Sequence, residues 1–155
     1  SENNTGKTFA VSSEQIGDLG ILQKAGFSNI FDMALDSPDR FPFTGGKLNN
    51  PYRLLLDWTG LPLMEGVTVN EIKSGDFGGF QRNLSPVVES MEGAALHYVC
   101  LMEKIPFLQI RSVSNILGDR DKSRWKLEEA RDSLHKALKH LIQKLDKADE
   151  TLFRI

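Results

Sequence analysis

Cysteine is almost absent from this chain of 155 residues, since Cys100 is the only one. A single thiol excludes an internal disulfide and a cysteine-based zinc site, and it is typical of a protein from a reducing compartment. Long apolar runs are lacking as well, because runs such as Leu54 to Leu56 fall far short of the roughly 18 residues that span a bilayer. No secretory signal is visible. The sequence therefore predicts a cytoplasmic protein with no membrane partner.

Neither sign of charge dominates. The chain has 19 basic and 21 acidic residues, which gives no reason to expect a nucleic-acid partner. We expect no metal and no cofactor, because His135 and His140 do not have the i, i+4 spacing of a zinc pair and the glycine-rich segment Ser74 to Gly79 lacks the spacing of a phosphate cradle. Residues 1–155, with 40% hydrophobic residues, are expected to form a single domain behind a loose tail at residues 1–6.

The stretch from Val87 to Trp125 carries the strongest pattern. It predicts a short strand that ends at Glu89, a helix over about Glu92 to Lys104, and a second strand that ends near Asn115. We interpret this as two parallel strands joined by a crossover helix. Because that arrangement puts both carboxyl ends at one edge of the sheet, we expect the Glu92 turn and the Asn115 turn to face one crevice.

The predicted helix has an apolar face. Four residues recur on it at helical spacing: Ala95, Tyr98, Val99 and Met102. This face is predicted to lie on the sheet. His97 and Cys100 are spaced like a base and a nucleophile, but the sequence places no third, orienting group near them. We favour packing over catalysis for this pair.

Other segments give shorter predictions. Phe9 to Ser12 is typical of a strand, Ser13 to Gly20 of a connecting loop with carboxylates, and Val67 to Asn70 of a strand entering a turn. The segment Leu54 to Trp58 is either a short helix or a strand. From Leu127 to the chain end, leucines at three- and four-residue spacing predict one long amphipathic helix that packs on the sheet.

Two segments carry a family resemblance. The purine nucleoside phosphorylase and nucleosidase superfamily has ribose and base segments that are similar to Glu89-Ser90-Met91-Glu92-Gly93-Ala94-Ala95 and Arg111-Ser112-Val113-Ser114-Asn115. Within the superfamily, the continuation from Asn115 to Trp125 is most similar to the futalosine hydrolases, which are nucleosidases of an alternative menaquinone route. The resemblance covers most of the chain from about Lys7 onward.

The resemblance implies a fold and an incomplete chain. The expected fold is a three-layer α/β/α sandwich with a mixed, partly parallel central sheet. Members of the superfamily are appreciably longer, so the first strands, together with the glutamate that activates water, are expected to be missing from residues 1–155. We therefore expect a fragment of such an enzyme or a truncated relative without turnover.

The resemblance also assigns residues to the sugar. Breaking an N-glycosidic bond passes through an oxocarbenium-like sugar, so an enzyme must orient the ribose and favour its developing positive charge. By resemblance, Glu92 accepts hydrogen bonds from the ribose 2′ and 3′ hydroxyls and Met91 packs its thioether against the sugar. Arg111 is expected to brace Glu89 or Glu92 as a charge pair. On the residues alone, Glu92 is equally a helix-start charge.

At the base, Asn115 is the informative residue. Adenine-specific nucleosidases of the superfamily carry an aspartate at the matching place, whereas an asparagine amide has one acceptor and two donors and can donate to N7 or O6 of a 6-oxopurine. This implies hypoxanthine as the leaving base and futalosine as the substrate. Ser114 is expected to bond the base or Asn115, and the stretch Val67 to Asn70, with Val69, to form one wall of the base pocket. Alternatively, Asn115 caps the following turn.

Two other functions stay open at this stage. A methylthioadenosine or adenosylhomocysteine nucleosidase would share the fold, although Asn115 argues against it. A non-catalytic nucleoside-binding or oligomerisation module would also fit a partial domain. In each case the resemblance implies a purine nucleoside as the ligand and a homo-oligomer as the assembly.

Overall fold

A computed structural model of the chain describes residues 4–24, 26–71 and 87–155. The segment Ser74 to Gly79 and residues 1–3 of the expected tail lie outside the described residues. Within the rest of that tail, Gly6 donates its backbone N–H to the carbonyl of Val113 at 2.7 Å.

The described residues form both strands and helices. The strands are β1 (Thr8–Ile16), β2 (Gly20–Gln23), β3 (Gly26–Asn29), β4 (Leu48–Asn49), β5 (Leu63–Thr68), β6 (Val87–Ser90) and β7 (Ile110–Ser112). The α-helices are α1 (Arg53–Trp58), α2 (Gly93–Met102) and α3 (Leu127–Leu145). Short 3-10 helices follow at Lys122–Arg124 and Glu150–Phe153. The segment Leu54 to Trp58, which was ambiguous in the sequence, is thus helical.

The chain is organised as two compact units. Unit 1 comprises Ser1–Ser12, Pro51–Met64 and Pro106–Ile155, and unit 2 comprises Ser13–Asn50 and Glu65–Ile105. Strands β1 and β5 contribute residues to both units.

The strand pairs of unit 2 bring two carboxyl ends together. β1 pairs antiparallel with β4, and β5 pairs parallel with β6, with Val67 opposite Glu89. The backbone N–H of Gly17 donates to the carbonyl of Thr68 at 2.7 Å, so the end of β1 lies beside the end of β5. β2 and β3 form a separate antiparallel hairpin. Because β5 and β6 are parallel, their carboxyl ends share one edge of the sheet.

In unit 1, β7 pairs antiparallel with β1, and Arg111 lies opposite Phe9. The interpretation of two parallel strands around a crossover helix is therefore wrong for the second strand. The hydrophobic pattern identified a strand here, but a pattern of burial carries no information about strand direction, which is fixed by the partner strand.

The sheet as a whole is mixed. Ala10 donates its backbone N–H to the carbonyl of Pro62, as Gly17 does to Thr68, so residue numbers rise together along β1 and β5 and the two strands are parallel. The strand order is β4-β1-β5-β6, with β7 paired to β1. The predicted α/β class with a mixed, partly parallel sheet is confirmed.

Strand β1 is longer than the sequence pattern suggested. It runs for nine residues, so the prediction of a connecting loop is wrong from Ser13 to Ile16. The first glycine or proline after Phe9 is Gly17, and the strand continues up to it. Both faces of β1 are largely buried, as expected for a central strand, and the side chain of Glu14 is fully buried.

The buried face of α2 differs from the predicted one. Its buried residues are Gly93, Ala94 and His97, whereas Ala95, Tyr98, Val99 and Met102 are exposed. The prediction of the opposite face is therefore wrong. Apolar residues surround most of this helix, so periodicity does not select a face. Two small residues at the helix start and the hydrogen bond of His97 to the carbonyl of Leu48 determine which side is packed.

Helix α3 is shorter than predicted. It ends at Leu145, and the side chain of Asp149 accepts the N–H of Thr151 to start a separate 3-10 helix. Ser133 Oγ lies 2.7 Å from Thr8 Oγ1 of β1, so the packing of α3 on a strand is confirmed. Near its end, Lys144 Nζ donates to the carbonyl of Trp58 at 2.5 Å and lies 4.5 Å from the indole ring centroid.

Two sequence expectations concern exposure. His135 and His140 are exposed on α3. Within the described ranges, no helix combines the length and apolarity that a bilayer span demands.

Candidate functional site

The first group of predicted site residues lies at the carboxyl ends of β5 and β6. The backbone N–H of Val69 donates to the carbonyl of Ser90 at 3.0 Å, and Val69 is buried. Glu89 is half-buried in β6, whereas Met91 and Glu92 are exposed just beyond it. Carboxyl ends of parallel strands are the usual place of ligands in open α/β sheets. Unit 2 therefore brings these four predicted residues to one such edge: Val69, Glu89, Met91 and Glu92.

The start of α2 is capped by side chains other than Glu92. Ser90 Oγ accepts the N–H of Gly93 at 3.1 Å, and Thr68 Oγ1 accepts the N–H of Ala94 at 2.7 Å. Glu92 directly precedes the helix, but its side chain makes no capping hydrogen bond. The first amides of a helix lack partners within the helix, and here two hydroxyls supply them. The Glu92 carboxylate is therefore not part of the helix cap.

Behind Thr68 lies a buried carboxylate. Thr68 Oγ1 donates to Glu14 Oε2 at 3.0 Å, and the Glu14 side chain has 0% exposure. Gly66 leaves room for it, because a Cβ at that position would stand 2.3 Å from Glu14 Oε1. Glu14, Thr68 and the Ala94 amide thus form a continuous hydrogen-bonded series from β1 to the start of α2.

The turn after Val69 is fastened by Asp18. Its Oδ2 accepts the backbone N–H groups of Asn70 at 2.6 Å and Glu71 at 3.1 Å, and its Oδ1 accepts Nδ2 of Asn70 at 3.0 Å. Three hydrogen bonds to one carboxylate fix the backbone that follows Val69. This turn therefore holds the carboxyl end of β5 in a defined position.

The second group of predicted residues lies in unit 1, after β7. Ser114 Oγ donates to Asn115 Oδ1 at 2.7 Å, and Asn115 Nδ2 donates to the carbonyl of Ile116 at 3.1 Å. Of its two expected partners, Ser114 thus bonds Asn115. The turn beyond is closed by its own bond, from the N–H of Asp119 to the carbonyl of Ile116. The carbonyl of Ser114 in turn accepts the N–H of Lys126, just before α3.

Two aspartates organise the loop between Asn115 and α3. Asp119 Oδ1 accepts from Arg124 Nη2 at 2.6 Å, and its carbonyl accepts Nε1 of Trp125 at 3.0 Å. Asp121 Oδ1 accepts both the N–H and the hydroxyl of Ser123. Both hydrogen bonds lower the pKa of Asp121, and the one from the Ser123 hydroxyl has the larger effect. The continuation from Asn115 to Trp125 that contributed to the resemblance is therefore a segment closed by its own hydrogen bonds.

The predicted residues are distributed over both units. Arg111, in β7, belongs to unit 1 together with Ser114 and Asn115, while Glu89 and Glu92 belong to unit 2. The structure brings the members of each group together within their own unit. The joining of the two groups in one crevice, and the bracing of a glutamate by Arg111, stay predictions.

His97 has a packing role in α2. It is fully buried, and Nδ1 lies 2.9 Å from the carbonyl of Leu48, so Nδ1 carries the hydrogen. Burial lowers the pKa of His97, and the hydrogen bond to Leu48 opposes this effect. The imidazole is therefore a neutral group that fixes α2 to β4, which agrees with the choice of packing over catalysis.

The sequence analysis missed the residues that support this site. The sequence pattern predicts a loop at Glu14, and it predicts for Thr68 a strand beside the base pocket but no contact with Glu14 or with the helix start. Strand continuity up to Gly17 was the signal for Glu14, because a glutamate inside a strand that is buried on both faces requires a polar partner. The partner itself, 54 residues away in the chain, has no signal in the sequence.

These elements define a class of protein. The family model of the phosphorylase superfamily matches residues 67–148, which is more than half of the chain and includes both groups of predicted site residues. The chain therefore belongs to the phosphorylase superfamily.

Individual relatives narrow the comparison. The chain is 28% identical over 142 residues to futalosine hydrolase of Thermus thermophilus, a match that covers 88% of this chain and 61% of that protein. This chain thus spans about three fifths of the length of that relative.

Solved structures show the same fold. A crystal structure of an MTA/SAH nucleosidase matches with a TM-score of 0.61 and 22% identity, over 92% of this chain and 54% of that chain. A futalosine hydrolase mutant of Helicobacter pylori strain 26695 matches with a TM-score of 0.56 and 13% identity, over 90% of this chain and 61% of that chain. At these identities the structures define the fold alone.

Proposed function

We propose that the protein is a nucleosidase that hydrolyses the N-glycosidic bond of futalosine and releases hypoxanthine. The observation that carries the proposal is the start of α2, where Ser90 and Thr68 cap the helix and the exposed Glu92 directly precedes it, beside the carboxyl ends of the parallel strands β5 and β6. Membership of the phosphorylase superfamily and the similarity to a futalosine hydrolase support the reaction class.

Glu92 and Met91 are assigned to the sugar. In the reaction, water adds its hydroxyl to C1′ of the ribose, the C1′–N bond breaks with its electron pair going to the purine, and the remaining proton ends on the base. A carboxylate that accepts from the 2′ and 3′ hydroxyls orients the ring and favours the positive charge that develops on it. Met91, which precedes Glu92 in the chain, is 47% exposed. Its thioether would cover the sugar.

Asn115 and Ser114 are assigned to the base. Because the Ser114 hydroxyl donates to Oδ1, the amide is oriented with Nδ2 on the other side, and Nδ2 has two hydrogens. One of them goes to the carbonyl of Ile116, and we assign the other to N7 or O6 of hypoxanthine. A bond to N7 would suit both bases, whereas at position 6 an adenine would meet this donor with its own amino group, which leaves the donor unpaired once the ligand covers it.

The other assignments follow from the resemblance. We propose that Glu89 and Arg111 support the sugar-binding carboxylate and that Val69 contributes to the base pocket. A cytoplasmic homo-oligomer also stays a prediction.

Hypoxanthine release tests the proposal. Futalosine, 5′-methylthioadenosine and S-adenosylhomocysteine are each incubated with the protein, and free bases are separated and quantified by chromatography. We expect hypoxanthine from futalosine and little adenine from the other two. Adenine release alone would identify an adenine-directed nucleosidase. If the protein binds hypoxanthine in a thermal-shift titration but releases no base, it is a binding module, and the proposal of hydrolysis is wrong.

A further inference from the structure

We propose that Glu14 and Thr68 are positioning residues that hold the start of α2, and with it Glu92, in place for the ribose. The inference rests on the proposed function for its catalytic consequence, but the positioning itself is a property of the fold. Glu14 lies outside the residues that the family model matches, and Thr68 is the second residue inside them.

The first step is the direction of the hydrogen bonds. Thr68 Oγ1 donates to Glu14 Oε2 at 3.0 Å and accepts the N–H of Ala94 at 2.7 Å. A hydroxyl has one hydrogen and can rotate it. Because Glu14 takes that hydrogen, a lone pair of the oxygen is turned towards Ala94. The carboxylate therefore sets the orientation of the group that caps the helix.

The second step is burial. Glu14 has 0% exposure and Thr68 has 7%, so water does not readily replace either partner. A hydrogen bond in a site of low dielectric is stronger than one in water, and a break leaves buried polar groups unsatisfied. The series is therefore stiff, and a change at Glu14 is passed to the Ala94 amide.

The third step is proximity to the proposed sugar ligand. Glu92 precedes Ala94 by two residues. The N–H of Gly93, between them, donates to Ser90 Oγ of β6. The backbone of Glu92 is thus fixed through the two amides that follow it. A shift of the helix start displaces the carboxylate, and small displacements of a group that orients substrate are costly to the rate.

Gly66 is consistent with this arrangement. A side chain at this position of β5 would collide with Glu14 Oε1, since an added Cβ would be 2.3 Å away. The strand therefore carries a glycine where the carboxylate must pass, although Gly66 pairs with Val88 in a regular parallel ladder.

The test uses three variants. Thr68→Val removes the hydroxyl at nearly constant shape, Thr68→Ser retains the hydroxyl, and Glu14→Gln changes its partner. Amide hydrogen exchange of Ala94 is measured by NMR, and Ala130 in α3, whose N–H donates to the carbonyl of Lys126, is the internal reference for global opening. We expect Ala94 to exchange at least about tenfold faster relative to Ala130 in Thr68→Val, with Glu14→Gln intermediate and Thr68→Ser close to wild type.

The same variants are assayed for hypoxanthine release. We expect kcat to fall by about tenfold or more in Thr68→Val with KM nearly unchanged, and Thr68→Ser to restore it. If Thr68→Val leaves the ratio of the Ala94 to the Ala130 exchange rate at its wild-type value, the inference is wrong. This includes the case in which both amides exchange faster by the same factor. If the wild type releases no base, the proposed function fails while the exchange ratio still decides whether Glu14 and Thr68 hold the helix start.

Discussion

The two segments that carry the proposed ligand residues are held in place in different ways. Glu92 precedes a helix in which the amide of Ala94 is bonded through Thr68 to Glu14, across sequence separations of 26 and 54 residues. Asn115 belongs to a segment whose side-chain hydrogen bonds join residues one to six positions apart, such as Ser114 to Asn115 and Trp125 to Asp119, and whose two ends are joined by the bond from Lys126 N–H to the Ser114 carbonyl. The helix start is therefore positioned by the core, and the loop largely by its own turn chemistry.

This difference teaches what each segment tolerates. A local network of aspartate and serine bonds forms wherever its short sequence is intact, so the Asn115 segment depends mainly on residues that are visible in the motif. The Glu92 segment depends on Ser90 of its own motif and also on Glu14 and Thr68, which lie outside that motif. Substitutions far from Glu92 in sequence should therefore alter sugar-directed properties more than base-directed ones.

The largest effect is expected for Glu92→Ala. Loss of the carboxylate removes the acceptor for the ribose hydroxyls, and we expect hypoxanthine release to fall by about 10² to 10³ in kcat/KM. The helix should stay folded, since Glu92 makes no capping bond. Glu103→Ala, at the other end of α2 and also exposed, is the matched control and should retain activity. Equal activity of both variants would remove the ribose role.

Asn115→Asp should change the preference between bases. A carboxyl group can protonate N7 and accept from an exocyclic amine, so we expect the ratio of adenine to hypoxanthine release to rise by about tenfold or more. Ratios are measured from competing substrates in one reaction. Asn49→Asp, on the exposed second residue of β4, is the control and should leave the ratio unchanged. An unaltered ratio in Asn115→Asp would end the argument from this amide.

Gly66→Ala should destabilise the fold through the helix-start network. The added Cβ displaces the Glu14 carboxylate, and overpacking of this kind costs about 1–3 kcal/mol, measured by urea unfolding. In a double-mutant cycle with Glu14→Ala, the carboxylate is gone and the cost of Gly66→Ala should shrink. Strict additivity of the two substitutions would show that the collision with Glu14 is not the cause.

The smallest effect is expected for the change of folding stability with pH. His97 and Asp121 should contribute to it in different pH ranges. The pKa of His97 is lowered from 6.5 by burial, so the unfolded chain binds a proton more readily than the folded one. The contribution of the neutral His97 to the free energy of unfolding is fully present above pH 6.5. It decreases as the pH falls from 6.5 towards the pKa of His97 in the folded state. We expect His97→Asn, which can still donate to Leu48, to flatten this slope in pH-dependent urea unfolding. A slope equal to that of wild type would contradict the role of His97.

In the loop, the corresponding change lies at lower pH. The hydrogen bonds from Ser123 lower the pKa of Asp121 from 3.8, so its contribution is present above pH 3.8 and is lost as the pH falls through the lower value of the folded state. The Ser123 amide should therefore keep its protection against hydrogen exchange between pH 6.5 and 4. In the same range the contribution of His97 to the free energy of unfolding already decreases.

The sequence was most informative where structure depends on local pattern. The Val87 strand, the helix after Glu92 and the amphipathic α3 were predicted from the residues, Asn115 was one of the two partners expected for Ser114, and the mixed α/β sheet was implied by the family resemblance. It failed where a distant partner decides. The direction of β7 is set by β1, the packed face of α2 by Leu48 and small residues at its start, and the role of Glu14 by Thr68.

The positions of the two tryptophans have a practical consequence. Trp58, beneath the Lys144 ammonium, and Trp125, bonded to Asp119, both belong to unit 1. Indole emission is therefore a readout of unit 1, whereas Glu92 belongs to unit 2. Tyr98, on the exposed side of α2, becomes the fluorescent reporter of unit 2 once both indoles and Tyr52 of unit 1 have been replaced by phenylalanine.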